Sequence, residues 1–328
     1  SPPVATGMAV ASLAVGAYSI FKIKKENKPE NIPVMGVMGA FVFATQMVNF
    51  TIPGTGSSGH LCGGLLLSAL IGPYGGFLSM MAILLLQCLL FADGGLMAYG
   101  CNVWNMAFYA CFFGYFCIYK PILGKNPSKK KILIASILGS VLSLQLGAFS
   151  VTLETLISGV TELPFLTFLS FMQPIHLAIG FVEGLITSAV LIFVYNTRPE
   201  MLNLNEKSNE FSFKKVIAIL SIVTVLIGGG ISLLASSSPD GLEWSMENVA
   251  GSTELDSKGS AYDKASEIQE KTTLLPDYPI SNSNNEILGT SFSGVLGSVL
   301  VAVILIGGSL IFRFYKKGAK NEQIRKSA

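Results

Sequence analysis

Nine stretches of this 328-residue chain are apolar for long enough to be read as helices crossing a membrane. They cover residues 4–21, 33–50, 60–71, 74–91, 96–119, 131–149, 165–195, 214–234 and 292–314. A spanning helix needs about 20 mostly apolar residues. Backbone polar groups in lipid must bond within the protein, which leaves helices or closed barrels. The runs are continuous rather than alternating, so helices are expected. Charged residues make up only 13% of the chain, against about 25% in soluble domains. The third run is about a dozen residues long, and only Gly72-Pro73 separates it from the fourth. That pair reads as a re-entrant hairpin or a broken helix. The seventh run is over-long and holds Pro174, which predicts a kink.

The basic residues sort to one side. Lys22, Lys24, Lys25 and Lys28 follow the first run; Lys120, Lys125, Lys129, Lys130 and Lys131 follow the fifth. Arg198, Lys207, Lys214 and Lys215 follow the seventh, and Arg313, Lys316, Lys317, Lys320, Arg325 and Lys326 follow the ninth. All come after odd-numbered runs. The positive-inside rule then puts the N-terminus outside and the C-terminus in the cytoplasm. The opposite loops are poor in Lys and Arg. The longest, 235–291, is acidic and reads as a solvated outer loop with a short helix near 261–270. The expected fold is an all-α polytopic membrane protein, a seven-helix bundle followed by a two-helix unit with an acidic extracytoplasmic loop. The division is 1–200, a cytoplasmic linker 201–213, and 214–328.

A net charge of +2 gives no case for nucleic acid. The five cysteines, Cys62, Cys88, Cys101, Cys111 and Cys117, show no CxxC pairing and read as small apolar packing residues. There is no phosphate-binding Gly-x-x-x-x-Gly-Lys-[Ser/Thr] and no His-Glu-x-x-His. Two histidines allow no triad to be argued. The chain reads as a binder or conduit rather than a catalyst.

Candidate chemistry gathers in a few places. Residues 49–60, Asn-Phe-Thr-Ile-Pro-Gly-Thr-Gly-Ser-Ser-Gly-His, form a Gly/Pro/Ser/Thr loop ending in His60. A neutral imidazole suits nickel, cobalt, zinc or copper, but His60 alone cannot hold a metal. His176 and Glu183 stand two helical turns apart on one face and read as a structural polar pair, with Gly180-x-x-x-Gly184 beside them permitting close helix approach. Asp93 sits in an Asp-Gly-Gly turn. Asn102 and Asn105 lie three apart on the fifth run and could orient His60 as supporting residues. Gly36, Gly39, Ala40 and Ala44 offer a small-residue surface. Packing within the chain is the favoured reading there, and contact with a partner subunit the alternative.

These residues together resemble the nickel/cobalt substrate-binding membrane components of energy-coupling-factor (ECF) transporters, the CbiM/NikM family. The resemblance runs through Ser1-Pro2-Pro3, the 49–55 stretch with Gly59-His60, residues 90–95 (Leu-Phe-Ala-Asp-Gly-Gly), residues 100–106 (Gly-Cys-Asn-Val-Trp-Asn-Met), and Pro174-Ile175-His176 with Gly180 and residues 183–187. Pro239-Asp240-Gly241-Leu242-Glu243 resembles the PDGLE signature of the NikN-type partner, so the chain looks like a fused MN protein. The resemblance implies a non-enzymatic subunit of a prokaryotic cell membrane that captures Ni2+ outside the cell, with Co2+ the alternative ion. The metal is substrate, and no cofactor is implied. A transmembrane coupling subunit and cytoplasmic ABC ATPases would drive uptake. Family members begin Met-His a few residues ahead of the Ser-Pro. The resemblance therefore implies that nitrogens of such a segment, expected before Ser1, join His60 in the planar set Ni(II) favours. Asn49, Asp93, Asn102 and Asn105 would support the site. Two other classes stay open on the residues: an intramembrane enzyme using His176, Glu183 and Asp93, and a vitamin-binding component of the same system.

Overall fold

The computed structural model describes residues 1–26, 31–202, 211–255, 259–276, 278 and 286–327, the last helix with side chains over 289–311. Lys28, Lys207, Asp256, Lys258 and Asp277 lie outside the described residues, as do the side chains of Glu286 and of the basic tail from Arg313. The helices are α1 (Pro2–Glu26), α2 (Asn31–Gln46), α3 (Gly64–Ile71), α4 (Pro73–Phe91), α5 (Leu96–Leu123), α6 (Lys129–Ile157), α7 (Phe165–Thr197), α8 (Phe213–Leu234), α9 (Gly241–Ala250), α10 (Ser260–Thr272) and α11 (Glu286–Ser327). Part of α5, over Val103–Tyr119, is wound as a π-helix, a winding frequent beside functional sites.

A helix stands at each of the nine apolar runs, and among the described residues seven are long and apolar enough to cross a membrane: α1, α4, α5, α6, α7, α8 and the 289–311 part of α11. The second and third runs fall short. With 16 and 8 residues, α2 and α3 are about 24 and 12 Å long, against a hydrocarbon core of about 30 Å. The second run was expected to reach residue 50, yet α2 stops at Gln46. The chain then forms a small antiparallel hairpin, β1 (Phe50–Ile52) with β2 (Ser57–Gly59), pairing Phe50 with Gly59 and Ile52 with Ser57. Gly54 and Gly56 in its turn hold φ of 79° and 76°, where a side chain would be strained.

The third run was expected to be helical from His60, but α3 begins at Gly64. Every residue of α3 is buried. At Gly72 the chain reverses with φ 83°, and Pro73 opens α4. A methyl group at Gly76 would lie 2.6 Å from Ser68 Oγ and 2.9 Å from Ser68 N. Both residues are four positions from Gly72, so α3 and α4 lie back to back. That register sets Gly64 level with Met80, near the middle of α4. The broken-hairpin reading thus has a physical consequence: it carries residues 60–63 deep into the bundle.

The most extensive helix contact is between α6 and α7. A methyl at Gly180 would lie 2.9 Å from Val141 Cα, and one at Gly184 would lie 2.5 Å from Ile137 Cα. These glycines let the two backbones touch. Gly184→Val is expected to lower the stability of the detergent-solubilised protein by about 1–3 kcal/mol, the usual penalty for overpacking. Thermal unfolding monitored by circular dichroism would check this, and an unchanged midpoint would count against the close crossing.

The small residues of α2 are occupied from within the chain. Gly36 faces Ile306 and Gly39 faces Leu305 of α11, while Ala44 faces Gly228 of α8. They leave no small-residue surface for a partner subunit. The described part of the 235–291 region is likewise docked on the bundle rather than a free solvated loop. Leu242, Met246 and Val249 of α9 pack with Ala148, Phe168 and Met172, and α10 lies against α4 and the start of α5.

Candidate functional site

An irregular segment at membrane depth must have its backbone groups bonded by protein. Residues 60–63 meet this through two buried side chains. Glu183, fully buried on α7, accepts the Cys62 N–H at Oε2 (3.0 Å) and the Gly63 N–H at Oε1 (3.1 Å). Gln46 Nε2, at the end of α2, donates to the Cys62 carbonyl at 2.8 Å. Gly63 itself adopts φ 86°, and a methyl there would lie 2.5 Å from Val42 Cγ1. The carboxylate thus sits at the N-terminus of α3, where unpaired N–H groups and the helix dipole favour negative charge.

This corrects the expected His176–Glu183 pair. Seven residues of helix separate them by about 10 Å along the axis, and each has other partners. His176 Nδ1 donates to the Met172 carbonyl at 2.8 Å. His60 Nδ1 donates to the Leu61 carbonyl at 3.2 Å. A carbonyl can only accept, so in each neutral ring the Nδ1 carries the proton and Nε2 keeps a free lone pair. That is the tautomer in which an imidazole ligates a metal through Nε2.

Both rings line one cavity of about 150 Å³, together with Cys62, Asn102, Asn105 and Asp240. Its roof is the PDGLE stretch. A methyl added to Gly241 would lie 3.1 Å from His176 Cε1 and 3.4 Å from Nε2, so at this position only a glycine leaves the ring's outer edge clear. Asp240 caps α9, its Oδ1 accepting the N–H groups of Leu242 (2.8 Å) and Glu243 (2.9 Å), while Glu243 Oε2 accepts the Asp240 N–H (3.1 Å). This reciprocal capping fixes where the roof begins. Burial, and then the neighbouring Asp240 carboxylate, raises the Glu243 carboxyl above its ordinary pKa.

The roof is bonded to the hairpin. Ser236 N donates to the Asn49 carbonyl (2.7 Å), and Ser58 N to the Pro239 carbonyl (2.8 Å). Ser58 Oγ donates to the Ser238 carbonyl (2.8 Å), and Trp244 Nε1 to the Thr55 carbonyl (3.0 Å). Asn49 therefore serves through its backbone at the foot of the hairpin and is not among the cavity residues, contrary to expectation. Asp93 also stands apart. Its carboxylate accepts from Tyr278 OH, and Gln269 beside it binds the same turn, donating to the carbonyls of Cys88 (3.1 Å) and Gly94 (3.0 Å) and accepting from Leu96 N (3.3 Å). Asp93 belongs to a second tie between the two halves of the chain, because the turn after α4 faces α10 rather than the cavity.

Asn102 and Asn105 do reach the cavity, and Asn105 Nδ2 donates to Glu154 Oε2 at 3.0 Å. Among the described residues no three His, Cys, Asp or Glu side chains gather closely enough to hold a metal ion. Gln46, Glu154 and Asp240 were not singled out as site residues from the sequence. An acid inside an apolar run is itself a functional signal; it marked Glu183, but Glu154 lies beyond the sixth run, which ends at residue 149, and only the helix's continuation to Ile157 brings it into the bundle.

The family model for the CbiM cobalt uptake substrate-specific transmembrane region matches residues 1–201, and that for the PDGLE domain matches residues 214–314. A protein of Archaeoglobus fulgidus named as a fused nickel transport protein, NikMN, is 32% identical over 90% of this chain and 90% of its own length. A protein of Lactiplantibacillus plantarum named as a fused nickel transport protein, LarMN, is 32% identical over 75% of this chain and 76% of its own. The crystal structure of a truncated transition metal transporter, 30% identical, superposes with a TM-score of 0.52 over 59% of this chain and 94% of that one.

Proposed function

The chain belongs to the CbiM family of cobalt-uptake substrate-specific transmembrane regions, with a PDGLE domain fused to it, and from that premise we propose that it captures Ni2+ as the substrate-binding component of an ECF-type transporter. The observation that carries the reading is the cavity on which His60 and His176 keep Nε2 free beneath the PDGLE roof. In this reading His60 is a metal ligand. Further nitrogens come from residues ahead of Ser1.

The metal-binding unit is residues 1–200. The linker 201–213 joins it to the PDGLE unit, 214–328, which roofs the site. The hairpin end faces outside and the lysine-rich end faces the cytoplasm. A transmembrane coupling subunit and ABC ATPases supply the energy, since this chain has no phosphate-binding loop of its own. An intramembrane enzyme is disfavoured: Glu183 is committed to two backbone N–H groups and Asp93 to Tyr278.

Nickel is preferred to cobalt because the two fused relatives are named for nickel and nitrogen-rich sites bind Ni2+ more tightly than Co2+. Calorimetric titration of the full-length protein in detergent tests this. One saturable site is expected, about 10-fold tighter for Ni2+ than for Co2+. Absence of saturable binding by either ion would overturn the reading, and tighter Co2+ binding would reassign the substrate.

A further inference from the structure

Asn105 is only 8% exposed and forms part of the cavity wall. Its amide has two faces with opposite chemistry. One is fixed: Nδ2 donates to Glu154 Oε2 at 3.0 Å. With Glu154 Oε2 accepting at this contact, the NH2 points towards the carboxyl group and Oδ1 is turned away from it. That Oδ1 is buried and has no hydrogen-bond partner. A buried acceptor left unpaired in this way costs about 1–3 kcal/mol. Asn105 carries this cost on the wall of the cavity, while the chain could have placed an apolar residue there.

Resting on the metal-capture reading above, we propose that Glu154 is a positioning residue of this cavity. It holds the Asn105 amide with Oδ1 as an acceptor for the N–H or O–H groups on a bound divalent transition-metal ion. A water or amine ligand on such an ion presents hydrogen-bond donors, and coordination to the cation makes them stronger donors. An acceptor backed by a carboxylate completes them. An amide flipped the other way would present a donor and oppose them. The pair thus favours a cation bearing donor ligands over an anion or an uncharged apolar ligand.

The test uses full-length protein in detergent, with Ni2+ as the probe. Titration calorimetry and the visible d–d spectrum are the readouts, and thermal unfolding checks the fold. Glu154→Leu frees the amide to flip and is expected to weaken Ni2+ binding by about 10- to 100-fold, the range seen when an outer-shell partner of a metal ligand is lost, with a displaced d–d band. Glu154→Gln and Asn105→Asp should each weaken binding too. The first no longer dictates the amide's orientation, and the second sets two carboxylates against each other. The double variant Asn105→Asp/Glu154→Gln exchanges donor and acceptor. The Gln NH2 then donates to the Asp, whose second oxygen faces the cavity, and affinity should return to within about 3-fold of wild type. Wild-type affinity and spectrum in Glu154→Leu would overturn the assignment while leaving the metal reading intact. So would a stably folded double variant without rescue. A wild-type protein that binds neither Ni2+ nor Co2+ would overturn both.

Discussion

Glu183→Leu is expected to cost about 2–6 kcal/mol of stability, since it leaves two buried N–H donors without a partner at about 1–3 kcal/mol each. The donors are those of Cys62 and Gly63. They lie level with the middle of α4, where no water is at hand to replace the lost acceptor. The damage should not stop at stability. His60 is two residues from Cys62 and has no side-chain anchor beyond its own neighbour's carbonyl. Its place in the cavity is inherited from the clamp that Glu183 and Gln46 put on the next peptides. Metal binding should therefore be lost even in those molecules that fold. Glu183→Gln keeps one acceptor oxygen and sets an NH2 against the other donor, so about half the loss is expected. Thermal unfolding and Ni2+ calorimetry on the three proteins give the comparison. A leucine variant with wild-type stability and affinity would show that the carboxylate does not hold the segment.

His60→Ala should do the reverse, abolishing metal binding without unfolding the protein. The ring's hydrogen bond is a local one to Leu61 O at 3.2 Å, and the residue is only partly buried. Its removal takes one donor from the Leu61 carbonyl and leaves in place the Glu183 and Gln46 bonds that hold the segment. Losing a ligand should exceed the roughly 100-fold that losing a supporting residue can cost. Calorimetry should show no saturable Ni2+ binding alongside an unchanged unfolding midpoint. A full-affinity alanine variant would remove His60 from the site. Acetylating the natural N-terminus should cost as much if its amine is also a ligand.

The helices at the nine apolar runs were legible because continuous apolar sequence marks them, whereas the polar α9 was not. The loss of length in α2 and α3 was not. An eight-residue helix wholly wrapped in other helices looks, in sequence, like one end of a span. Nor did composition reveal the hairpin at 50–59, whose residues Thr51, Pro53, Gly54 and Ser57 read simply as loop. His60, Asn102 and Asn105 were found because polar groups stand out against an apolar background. Asn49 and Asp93 stood out in the same way and still fell elsewhere, since a turn residue's direction depends on what docks against it. Here the docking came from residues 236–278, nearly two hundred positions away. For the same reason Glu183 was found and wrongly partnered. Residue spacing on one helix gives a shared face, but not the backbone of another segment that enters beside it.

The hydrogen bonds that join Ser236, Ser238, Pro239 and Trp244 with the hairpin and its foot, and Gln269 and Tyr278 with the turn after α4, have a bearing on stoichiometry. Almost all run between a side chain or backbone of the second unit and a backbone group of the first, and each contributes only about 0.5–1.5 kcal/mol net. Such a set makes a modest joint between two separate molecules, one that would depend on how much of each the membrane held. Tethered in one chain, the same joint sees an effective concentration in the millimolar range whatever the expression level. The fusion thereby guarantees one roof for every cavity.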